Sequence, residues 1–78
     1  MNTNTNTTEK VINIVAGLSA PVRDVTPECN LTNDLGLDSL DVAELLMECE
    51  KRFKIRINAT SEDVRTVQDL INLVEKAM

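Results

Sequence analysis

Histidine, tryptophan and tyrosine are absent, and Phe53 is the only aromatic residue of the 78. Without an imidazole the chain lacks the usual general base, any Ser-His pair and the commonest metal ligand, so enzyme chemistry and a metal site are not expected. Its two cysteines, Cys29 and Cys49, stand too far apart for a zinc or redox motif and are too few for a disulfide framework. A reducing, cytoplasmic setting follows as the expectation. No apolar run approaches the roughly 20 residues of a membrane span, and the first residues lack the charged and apolar regions of a signal peptide, so neither membrane insertion nor export is expected.

What the chain does contain is aliphatic. Apolar residues make up 42% of it, nearly all Leu, Ile, Val and Ala, a palette that suits small helical packing better than a sheet. Seventy-eight residues hold one domain, which buries only about 60% of the surface the unfolded chain exposes, so a deep enclosed active site is not expected. Thirteen acidic against eight basic side chains give a net charge of -5, which repels nucleic acid and anionic membrane and attracts proteins with basic patches. Three Asn-x-Thr matches, at Asn6, Asn30 and Asn58, are what an Asn/Thr-rich chain produces by chance.

Residues 1–7 alternate Asn and Thr with little to bury and read as a flexible tail, leaving 8–78 as the domain. From Thr8, the apolar residues Val11, Ile14, Val15 and Leu18 recur at helical spacing and define a first amphipathic helix, stopped near Pro21. A long connection over 19–38 follows, punctuated by Pro21, Pro27 and Gly36 and anchored by Val22, Val25, Leu31, Leu35 and Leu37. The second helix starts at Ser39 with Asp38 as its N-cap and Asp41 completing an acidic capping box, and ends near Phe53. Residues 61–64 read as one short helical turn. Thr66 caps a last helix running to about Ala77, with Val67, Leu70, Ile71 and Val74 as its apolar stripe. The expectation is an all-α fold, a small four-helix bundle of three main helices plus a short third one, with a long loop between the first two.

The second helix carries one apolar face more than a core needs. Val42, Leu45, Leu46, Cys49 and Phe53 form the core stripe at 100° per residue, while Leu40, Ala43 and Met47 lie opposite, among Glu44, Glu48, Glu50 and Lys51. Such a strip can be scattered surface apolars covering the loop, or a docking face for partners that offer basic groups around a greasy groove. Cys49 packs as a small hydrophobe on the core stripe or enlarges a cavity there.

The run Asp34-Leu35-Gly36-Leu37-Asp38-Ser39-Leu40-Asp41, followed by Glu44 and Leu45, resembles the signature of acyl carrier proteins and related carrier domains. The resemblance extends from about Thr8 to Met78 in the order of elements. It implies that Ser39 receives 4'-phosphopantetheine from coenzyme A through a dedicated phosphopantetheinyl transferase. The arm's thiol then carries acyl groups as thioesters for fatty acid or related acyl and polyketide biosynthesis, and the protein has no catalysis of its own. It also implies a supporting role for Asp38 beside the serine, over and above the capping that suffices to explain it. Partner binding falls to Leu40, Asp41, Ala43, Glu44, Met47 and Glu48, for the transferase and for acyl-transfer and ketosynthase-type enzymes, with the chain a monomer. An internal acyl cavity would be lined by Leu45, Leu46, Ile57 and Leu70. As an isolated residue, Ser39 is no more than an ordinary serine at a helix start.

Two departures and three rivals stand beside this reading. Lys51, Arg52, Lys54 and Arg56 put a basic patch where many fatty-acid carriers remain acidic, which bears on partner choice and fits a specialised carrier as readily as a housekeeping one. The tail lies outside the resemblance. The rivals are an unmodified interaction module with the same fold, an aminoacyl or peptidyl carrier of non-ribosomal synthesis, and a small hydrolase or acyltransferase. Asp38 before the serine favours acyl cargo over the second, and the lack of a base disfavours the third.

Overall fold

Two of the three helices begin at side chains that satisfy their own first amides. The computed structural model describes the backbone of residues 3–18 and 24–78, and the side chains of 7–18 and 24–78. It contains α1 (Thr3–Leu18), α2 (Ser39–Phe53), a short 3-10 turn (Ser61–Asp63) and α3 (Val67–Ala77). The all-α reading is correct. The expected fourth helix is one 3-10 turn of three residues, because Val64 returns to extended backbone and enters the core immediately after it.

At α3, Thr66 Oγ1 accepts the Asp69 N–H at 3.1 Å and Asp69 Oδ2 accepts the Thr66 N–H at 3.2 Å. Val67, Leu70, Ile71 and Val74 then face inward, as their spacing predicts. Helix α1 begins at Thr3 rather than near Thr8, five residues into the segment read as a tail. Thr7 is buried and donates its hydroxyl to Met78 Sδ at 3.7 Å, a tertiary contact invisible to apolar periodicity. Residues 1–2 of that segment, and Pro21 and Val22 of the connection, lie outside the described residues.

The core joins Val11, Ile14 and Val15 of α1 to Val42, Leu45, Leu46 and Cys49 of α2 and to the α3 stripe. The long connection is part of it. Val25, Leu31 and Leu37 are buried, and Leu35 is partly so. Backbone pairing fixes the connection to the start of α3, with Leu31 N–H donating to the Arg65 carbonyl at 2.8 Å and Val67 N–H to the Cys29 carbonyl at 3.0 Å. These make an antiparallel bridge between Asn30 and Thr66. Asn30 also accepts the amides of Thr32 and Asn33 on Oδ1, so its side chain is already committed to the turn.

Helix α1 runs back along α2. Lys10 Nζ lies 5.9 Å from the ring centroid of Phe53, while Leu18 shares a surface groove with Glu44. The early part of α1 and the ends of α2 and α3 therefore gather at one pole, about 22 Å along α2 from Ser39.

Candidate functional site

The turn into α2 is built by four consecutive residues with different tasks. Gly36 adopts φ +70°, a left-handed conformation that costs an L side chain about 1–2 kcal/mol. Leu37 is 4% exposed and pins the turn to the bundle, with its N–H on the Leu31 carbonyl at 2.9 Å. Asp38 has extended backbone and caps the helix. Its Oδ1 accepts the Asp41 N–H at 2.9 Å while Asp41 Oδ2 accepts the Asp38 N–H at 3.2 Å. Ser39 follows as the first helical residue and is exposed.

The capping box leaves a defined remainder. A helix start has four amides without intrahelical acceptors. Asp38 and Asp41 take each other's, and Val42 N–H makes the first intrahelical bond, to the Asp38 carbonyl at 3.0 Å, so the Ser39 and Leu40 amides remain beside the Ser39 hydroxyl. Two amides at the positive end of a helix dipole favour an anion attached at that hydroxyl by about 0.3–1 kcal/mol.

The strip opposite the core stripe is also present. Leu40 is 75% and Met47 58% exposed, with Ala43 half-buried between them. Glu44 is exposed, and Asp41 and Glu48 are half-exposed on the same helix. Two carboxylates beside the strip are engaged within the chain, the first with a residue four positions on along the same helix. Glu48 Oε1 pairs with Arg52 Nε at 3.3 Å, and Glu50 Oε2 accepts the Ile57 N–H at 2.8 Å, so Glu50 organises the segment after α2 instead of bordering the strip.

Of the residues expected to line an internal cavity, Leu45, Leu46 and Leu70 are buried in the core, whereas Ile57 lines a surface groove beside Leu73. Phe53, read as a core residue, is only half-buried, at the Lys10 end of α2. Cys49 is fully buried and its thiol is pushed up from 9.0 to about 12, by burial first and by the Glu48 charge second, with Arg52 pulling the other way. It packs as a small hydrophobe. Among the described residues no three His, Cys, Asp or Glu side chains form a metal-ligand group, and no helix is long and apolar enough to cross a membrane.

Comparison with known proteins follows the same lines. Residues 9–74 match the family described as the phosphopantetheine attachment site. An acyl carrier protein of Syntrophobacter fumaroxidans is 41% identical over 69 residues, covering 86% of this chain and 85% of the relative. One of Porphyromonas gingivalis is 41% identical over 70 residues, covering 87% and 90%. Another, from Aster yellows witches'-broom phytoplasma, is 43% identical over 70 residues, covering 87% and 92%. Among solved structures, the apo doublet acyl carrier protein from prodigiosin biosynthesis superposes with a TM-score of 0.82 at 23% identity, a likeness of fold. That alignment covers 99% of this chain, which spans 38% of the doublet.

Proposed function

The chain belongs to the phosphopantetheine attachment-site family and to its acyl carrier proteins, and on that premise we propose that Ser39 is its attachment residue. The protein carries acyl intermediates for fatty acid or related biosynthesis on covalently attached 4'-phosphopantetheine. When bound, the group supplies the terminal thiol on which the thioester forms. The chain's own residues hold its base. Ser39 offers an exposed hydroxyl on the first turn of α2, Asp38 and Asp41 lock that turn, and the remaining amides of Ser39 and Leu40 face the phosphodiester's charge.

The single observation that carries the assignment to Ser39 is the coincidence of an exposed serine with a closed reciprocal cap on a loop pinned by Leu31 and Leu37. Neither Cys49, which is buried, nor Cys29, whose thiol donates to the Asp24 carbonyl at 3.4 Å, has a part in loading. The partner face is Leu40, Asp41, Ala43, Glu44, Met47 and Glu48. It receives a phosphopantetheinyl transferase and then acyl-transfer and ketosynthase-type enzymes, whose basic side chains complement the carboxylates around the Leu40 and Met47 anchors. The protein works as a cytoplasmic monomer and catalyses nothing itself, consistent with a sequence free of histidine.

Incubation with coenzyme A and a broad-specificity phosphopantetheinyl transferase, read by intact mass, tests the site. The wild type gains one phosphopantetheine and Ser39→Ala gains none. An unmodified, folded wild type beside a fully modified control carrier refutes the assignment.

A further inference from the structure

The charges of this chain are sorted along its length. Of its eight Lys and Arg residues, the six other than Arg23 and Arg65 are Lys10, Lys51, Arg52, Lys54, Arg56 and Lys76. All six stand at the pole where the early part of α1 meets the ends of α2 and α3. At that pole Glu48 is spent on Arg52 and Glu50 on the Ile57 amide, which leaves Glu9 and Glu75 as the acidic side chains without such an engagement. Arg56, Ile57, Asn58, Leu73, Lys76 and Ala77 line a surface groove of about 290 Å³ at this pole. Among the described residues, neither cation makes an ion pair.

We infer that this groove is a second docking surface, which takes an acidic polypeptide segment by seating one of its apolar side chains between Arg56 and Lys76. Its apolar lining, Ile57, Leu73 and Ala77, is half-buried aliphatic surface that an apolar side chain can cover. The two unpaired cations supply charge complementarity to carboxylates on either side of that side chain. An anionic membrane is the poorer match. The chain's net charge of -5 opposes it, and the exposed large apolar residues (Leu18, Leu40, Met47 and Met78) include none of the groove's lining that could insert. The surface lies a helix length from Ser39, so a partner can hold it while the attachment end is engaged elsewhere, and it does not depend on what Ser39 carries.

The test is an amide-resonance titration of the full chain with a short peptide, Glu-Glu-Leu-Leu-Glu-Glu, at about 50 mM and about 300 mM salt. The expected result is saturable shifts at residues 56–58 and 73–77 that weaken at the higher salt. Affinity falls about tenfold or more in Arg56→Glu/Lys76→Glu and is unchanged in Arg65→Glu. Arg56→Gln/Lys76→Gln gives the same reading with a smaller loss if charge reversal perturbs the fold. Loading of Ser39 by mass is unaffected in these variants, which separates failure here from failure of the carrier assignment. Shifts spread evenly over all cations, no shift at all, or binding to phosphatidylglycerol vesicles without binding to the peptide each overturns the inference.

Discussion

Replacing Asp38 with alanine separates what the cap does for the fold from what it does for Ser39. The substitution removes the acceptor of the Asp41 N–H, a bond of 2.9 Å at an N-cap, which costs about 1 kcal/mol within a range of 0.5–2. For a chain of 78 residues, whose whole stability is about 4–12 kcal/mol, that is a large fraction, and it lowers the melting temperature by about 4–8 °C. Asp38→Asn keeps an oxygen acceptor and loses only the charge, so it remains within a few tenths of a kcal/mol of wild type. Thermal unfolding followed by helical circular dichroism measures both. The same three proteins, assayed for the rate of phosphopantetheine transfer, then show whether the charge acts on the transferase. A slow but stable Asp38→Asn assigns it that second task, and a normal rate leaves only the cap. An Asp38→Ala protein within about 0.3 kcal/mol of wild type refutes the capping argument. Equal losses for Asn and Ala place the stabilisation in charge instead of in the hydrogen bond.

Three further outcomes follow from local geometry. Gly36→Ala costs about 1–2 kcal/mol in urea unfolding, all of it backbone strain at φ +70°, since an added Cβ meets nothing within 4 Å; a loss below about 0.3 kcal/mol contradicts this. The Cys49 thiol, raised from 9.0 to about 12 by burial, contributes stability that is complete below pH 9 and lost as pH rises through 12. The stability difference between wild type and Cys49→Val is therefore constant below pH 9 and moves against the wild type above it. The shift reaches at most about 4 kcal/mol at 1.36 per pKa unit, and a flat difference shows that the thiol is not held neutral by burial. Leu40→Ala/Met47→Ala, which truncates side chains 75% and 58% exposed, leaves unfolding within about 0.5 kcal/mol of wild type and slows transfer to Ser39; an unchanged rate removes these two from the partner face.

Most of what places the site is short-range, and short-range interactions can be read from spacing. The Asp38 and Asp41 box, the Thr66 and Asp69 box and the stripes of α2 and α3 each involve residues three or four apart, and all are present. The start of α1 is not of this kind. Its first five residues, Thr3 to Thr7, carry no apolar spacing, and the buried Thr7 meets Met78 across 71 residues. The end of α2 falls at Phe53, where the apolar spacing puts it, although the residue that stops it, Lys54 at φ 56°, takes a conformation that glycine would have announced and lysine does not.

By itself the sequence determined an all-α chain, two capped helices, a serine at the first turn of one of them and an apolar strip on that helix beyond the needs of a core. Periodicity and capping are properties of neighbouring residues, and they suffice for that. Only the tertiary structure decided how the charges are distributed in space. Lys10, Arg52, Arg56 and Lys76 lie on α1, on α2, on the segment after α2 and on α3, and come to one pole because α1 folds back along α2 and α3 ends beside it. It likewise decided that Glu50 serves the Ile57 amide beyond α2 instead of bordering the strip, whereas the Glu48 and Arg52 pair, four residues apart on α2, is local.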